Sequence, residues 1–154
     1  MSILLAFLIG GVAGLRAMTA PAAVSWAAQL GWLDLKGSAL AFFGFRFTPY
    51  IFTLLAILEL VSDQLPKTPS RKAPMQFIAR IVSGALCGAA IGAARGALIV
   101  GLIAGAAGAV AGTLGGYEFR SRLVRATGGR DLPIALVEDA IAIGGALWIV
   151  ASVA

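Results

Sequence analysis

The stretch from Gly84 to Gly116, GALCGAAIGAARGALIVGLIAGAAGAVAGTLGG, limits what this chain can fold into more than any other. Gly84, Gly88, Gly92 and Gly96 fall four apart, and Gly101 with Gly105, then Gly108, Gly112 and Gly116, repeat the spacing after a short break. Residues four apart share one face of an α-helix. Each half therefore carries a groove without side chains, edged by alanine. In water every such glycine costs about 1 kcal/mol against alanine. In lipid the same groove is a packing surface, because small residues let helix backbones approach. The pattern predicts two membrane helices, about Gln76 to Ala94 and Ala97 to Tyr117, closed into a tight hairpin that turns near Arg95 and Gly96.

Composition agrees. Of 154 residues 60% are hydrophobic and 12% charged, and the mean hydropathy is +0.95. That is about half the charge of a soluble domain. The expectation is a single multi-span membrane domain over residues 1–154, with the lipid bilayer as its main partner. The apolar start lacks a basic region, so no cleavable signal is read there. The net charge of +5 does not point to nucleic acid, since the basic residues cluster in two short segments as topology signals do. The chain has no histidine and one cysteine, Cys87. This argues against a His/Cys metal site, a disulfide framework and a histidine base. No cofactor, metal ligand set or catalytic residue is assigned.

Taken in order, residues 3–33 form a first apolar element interrupted by Gly10, Gly11, Gly14, Arg16 and Pro21. It is either one kinked span or two half-helices meeting near mid-membrane, with Thr19 as the cap of the second half and Pro21 in its first turn. A connector rich in phenylalanine follows, and a second span runs from about Pro49 to Leu65. The Pro-rich segment Pro66–Pro74 carries Lys67, Arg71 and Lys72. After the glycine hairpin a second basic loop holds Arg120, Arg122 and Arg125, and a last span opens at Asp131 and Pro133. The fold read from this is all-α and integral to the membrane, with about five spans, the first one broken. The positive-inside rule puts the basic loops, 66–75 and 119–131, in the cytoplasm. If the first element is re-entrant, the N-terminus moves to the outside.

Charges at membrane depth cost about 3 kcal/mol each on insertion scales and usually mark a partner or a site. Arg16 and Glu59 are matched in depth. Asp63 needs a cation, with Arg80, Lys67 and Arg71 at similar depth, and Glu138 and Asp139 enter from the same side. Two readings stand. The carboxylates and Arg16 line a wet pathway for an ion or small polar solute, or they pair and clamp the helices. The close-packing stripes also suit a homodimer or a membrane partner protein. A lipid-phosphate enzyme holding Mg²⁺ on Glu59, Asp63, Glu138 and Asp139 is a third reading, without support from any hydrolase, zincin or phosphate-loop motif.

GLRAMTAPAAVSWAAQLGWL (Gly14 to Leu33), ELVSDQLPKTPSR (Glu59 to Arg71) and LPIALVEDAIAI (Leu132 to Ile143) together resemble a family of small bacterial multi-pass membrane proteins known as domain of unknown function 4126. The resemblance covers nearly the whole chain. It implies a bacterial inner-membrane location and brings no activity, substrate or cofactor. The favoured function is a small transporter or channel component. The alternative is a non-transporting scaffold or accessory subunit.

Overall fold

The computed structural model describes residues 2–35, 37–62, 74–129 and 132–153. Among these the regular structure is helical throughout: α1 (Ser2–Leu15), α2 (Thr19–Gln29), a 3-10 turn (Ala41–Gly44), α3 (Thr48–Ser62), α4 (Pro74–Ala93), α5 (Leu98–Ala126) and α6 (Leu132–Val153). Three helices are long and apolar enough to cross a membrane: Met75–Ala93, Leu98–Ala126 and Pro133–Val153. The segments Ile3–Leu15 and Thr48–Ser62 are apolar but shorter. Asp63, Lys67, Arg71, Lys72 and the proposed Asp131 cap lie outside the described residues.

α4 starts two residues before the predicted Gln76, on Pro74, the residue type that suits a first helical position. The turn to α5 lies at Ala94–Ala97, where Gly96 takes φ +73°. Gly96 is therefore a turn glycine and not a packing position, contrary to its place in the four-residue ladder. α5 runs 29 residues, well past the expected end at Tyr117. The run EFRSRLVRA is rich in good helix formers, and the helix stops only before Gly128 and Gly129, both at positive φ. Arg120, Arg122 and Arg125 accordingly sit on the last turns of α5, not in a loop.

The glycines bring three helices together. A Cβ on Gly88 would collide with the Gly101 carbonyl oxygen, and one on Gly92 with that of Ala97. Gly105 faces Gly84 and Gly88 of α4 and also meets Gly10 of α1. Farther along α5, Gly108 and Gly112 turn to α1, where they meet Phe7 and Gly11. The ladder thus splits, its first half facing α4 and its second facing α1. Gly10, Gly11 and Gly14, read from sequence as interruptions, are part of this contact surface.

The contacts also set directions. α1 runs parallel to α5 (Gly10 beside Gly105, Gly14 beside Thr113) and antiparallel to α4 (Gly10 beside Gly84, Gly14 beside Arg80). It is antiparallel to α6, since Arg16 meets Asp139 and Val12 lies against Gly145. α2 then reverses. Thr19, Ala23 and Trp26 line one cleft with Ile143, Ala146 and Leu147 of α6, on the α1 side of Asp139. Its other neighbour is α3, antiparallel to it, with Glu59 at the start of α2 and Thr53 and Tyr50 against Trp26. α1 and α2 therefore form a pair that goes in, turns at Arg16–Met18 and comes back, with α3 alongside α2, while α4, α5 and α6 are the three long helices.

Candidate functional site

The turn between α1 and α2 leaves two helix ends inside the protein. An α1 terminus exposes carbonyls and a negative dipole end, and an α2 terminus exposes amides and a positive one. Each end meets the opposite charge. Arg80 of α4 donates from Nη1 to the carbonyls of Gly14 (2.9 Å) and Leu15 (2.7 Å). Thr113 of α5 donates to the Gly14 carbonyl at 3.3 Å, and Ser83 of α4 donates to that of Ala17. On the amide side, the Glu59 carboxylate of α3 accepts from Ala17 N and Met18 N, both at 2.8 Å. Arg80 Nη2 stands 3.7 Å from Glu59 Oε1, which ties the two caps to each other.

The predicted cap is thus corrected. α2 begins at Thr19, Met18 occupies the cap position without a side-chain bond, and the capping group comes from another helix. The Thr19 hydroxyl is buried without a partner. Pro21 does sit in the first turn of α2.

Arg16 itself is fully buried, with 0% exposure. Its Nε donates to Asp139 Oδ1 of α6 at 2.6 Å, and Nη2 forms an ion pair with the same oxygen. Depth alone matched Arg16 with Glu59. Instead Glu59 is held by backbone amides and Arg80, and Asp139 takes Arg16. The residue before Asp139, Glu138, pairs with Arg120 at 3.4 Å; Glu138 is buried and Arg120 partly so. Arg122 pairs along its own helix with Glu118, exposed. Arg125 is exposed in the last turn of α5, where a cation suits the helix dipole.

Three arginines, Arg16, Arg80 and Arg120, thus meet three carboxylates, Asp139, Glu59 and Glu138. Burying any of these ions alone would cost several kcal/mol, so the layer stands by its pairing. Sequence reading named Arg80 only as a candidate partner for Asp63, and it missed Ser83 and Thr113. Arg80 and Ser83 fall three apart on one face of an otherwise apolar helix, a legible signal. Thr113 gave none. The carboxylates are distributed among different arginines, and among the described residues no three metal-ligating side chains converge.

The family model described as Domain of unknown function (DUF4126) matches residues 3–152. The chain belongs to that family. No curated protein and no solved structure matches it.

Proposed function

We propose that this chain, a member of the DUF4126 family, is a small multi-pass protein of the bacterial inner membrane in which the α1–α2 pair forms the closed centre of a pathway for an ion or small polar solute. The observation that carries this reading is the reversal at Arg16–Met18 among buried charges. α1 has 14 residues, which reach about 21 Å, or two thirds of a hydrocarbon core of about 30 Å. Non-helical backbone at that depth is tolerated where it is buried in protein or lines a cavity, and broken helices commonly build transport sites. A purely structural bundle needs neither the break nor the layer of ion pairs, and each pair is expensive to bury.

In this reading the pair enters and leaves on one face, so the chain makes four crossings. Both termini lie outside, and the arginine-rich end of α5 is cytoplasmic by the positive-inside rule. The glycine contacts of α1, α4 and α5 act as a lipid-phase zipper that holds a rigid frame. α3 is attached mainly through α2 and presents Ile51, Leu54, Ile57 and Leu58 outward. It is the element free to move and open the layer.

The pairing of the buried charges favours a second reading, a closed clamp in an accessory subunit. There, Ala107, Ala111 and Gly115, exposed along α5, receive a partner helix or a second copy.

Water access separates the two. In a Cys87→Ala background, a cysteine replaces Met18, which is half-buried at the break, and is probed in membranes with a small impermeant thiol reagent from either side. The pathway reading expects labelling, raised several-fold when Glu59→Gln loosens the cap on α2. Complete protection in both backgrounds would reject the pathway in favour of the clamp.

A further inference from the structure

α5 is longer than a membrane core is thick. Its 29 residues reach about 43 Å, against a hydrocarbon core of about 30 Å. It carries no charged side chain before Glu118. Length and composition therefore agree. Tyr117, an aromatic of the kind that marks a membrane boundary, closes the apolar part, and residues 118–126 stand at headgroup level. There Tyr117, Arg120, Ser121, Val124 and Arg125 line a shallow depression of about 370 Å³. Tyr117, Ser121 and Arg125 follow at four-residue spacing, so they share one face of the helix.

Two polar groups on that face are unspent. A terminal arginine can cap the last carbonyls of its own helix, but here they are taken. The Thr127 hydroxyl donates to the Leu123 and Val124 carbonyls at 2.9 and 3.2 Å, and Gly128 N and Gly129 N donate to those of Arg125 and Val124. The exposed Arg125 side chain makes no hydrogen bond or ion pair among the described residues. Ser121, half-buried, makes none either, whereas Ser152 donates back along its helix to the Trp148 carbonyl at 2.8 Å. Arg120 is met by Glu138 and Arg122 by Glu118, so Arg125 is left with one uncompensated positive charge.

We propose that this depression binds the headgroup of one singly anionic phospholipid of the phosphatidylglycerol type, its phosphodiester oxygens accepting from the Arg125 guanidinium and the Ser121 hydroxyl. A phosphodiester offers a single negative charge and acceptor oxygens, which suits one free guanidinium beside one free hydroxyl. The uncharged glycerol brings no second cation against Arg125, as a choline would. The occupant is a lipid because the stripe continues below Tyr117 to the exposed Leu114, where an acyl chain lies. The proposal needs α5 to cross a membrane. It holds under either reading of the charged layer, to which Arg125 and Ser121 do not belong.

The test is native mass spectrometry of the full chain in detergent, titrated with dioleoyl phosphatidylglycerol, with dioleoyl phosphatidylcholine, or with glycerophosphoglycerol, the same headgroup without acyl chains. The first phosphatidylglycerol is expected to bind about tenfold tighter than the first phosphatidylcholine, with no adduct of the free headgroup at the same concentrations. Arg125→Gln brings phosphatidylglycerol down to the level of phosphatidylcholine. Ser121→Ala weakens it about threefold. Arg122→Gln removes an equal charge from the same turns but outside the depression, and changes the affinity by less than about twofold. These positions lie on the exposed end of α5, away from the glycine contacts, so each variant folds. Equal binding of the two lipids, or an affinity unmoved by Arg125→Gln, would overturn the proposal. An equal loss with Arg122→Gln would replace the site by diffuse attraction to a basic helix end. A free headgroup held as firmly as the lipid would show that the occupant is a soluble phosphate.

Discussion

Gly105→Leu is expected to abolish recovery of folded protein. Gly105 lies where three helices meet: an added Cβ would run into the Gly84 carbonyl oxygen and the Gly88 Cα of α4, while Gly10 of α1 packs on its own carbonyl. These obstacles are backbone, so no rotamer change relieves them. Overpacking costs about 1–3 kcal/mol where side chains can shift, and here whole helices must separate. Gly115→Leu is the matched control, because a Cβ there meets nothing within 4 Å. The measurement is the monodisperse fraction after detergent extraction. Loss for Gly105→Leu with normal yield for Gly115→Leu is expected. Equal yields would mean that the close approach of the three helices does not support the fold.

Arg80→Met is the second large effect. It removes the cation that binds the Gly14 and Leu15 carbonyls and faces Glu59. Breaking a buried pair from one side costs about 3–5 kcal/mol, because the other charge stays behind. For a chain of this size that lowers the melting point by roughly 10 °C. The double variant Arg80→Met with Glu59→Gln leaves no uncompensated carboxylate and should recover part of the loss, as neighbours in one network are not additive. Recovery is partial since the α1 carbonyls remain without Arg80. An unchanged melting point for Arg80→Met would show that the two helix ends do not depend on it. A double variant as damaged as the sum of its parts would show that Arg80 and Glu59 act separately.

Much of this arrangement is written in local pattern. The four-residue glycine spacing, the turn at Gly96 and the break at Arg16 are each local, and each is found near its predicted place. Residue count along a helix converts directly to relative height, which is what the depth argument used. It could not select partners within the layer. Arg16 faces Asp139 instead of Glu59 because the chain turns back and puts the Ala17 and Met18 amides against α3; the interruptions in Gly14–Leu33 left a kinked span and a returning pair equally open. The same reversal explains why Thr19 is not a cap: once Glu59 reaches the amides from α3, the hydroxyl of Thr19 is left buried without a partner. The division of the glycine ladder between α4 and α1 is likewise a tertiary fact. Gly10 and Gly14 repeat the four-residue spacing, and that was the available sign that a third helix joins the hairpin.

The reversal is therefore the central claim, and side-specific labelling tests it most directly. In the Cys87→Ala background, single cysteines are placed at Ser2, Ala39, Thr127 and Ser152, and intact cells are treated with an impermeant thiol reagent before and after permeabilisation. The account predicts that positions 2, 39 and 152 label together from outside, and that position 127 labels only once the membrane is opened. If positions 2 and 39 lie on opposite sides, residues 2–29 form a single kinked span, and the re-entrant centre with everything built on it is contradicted.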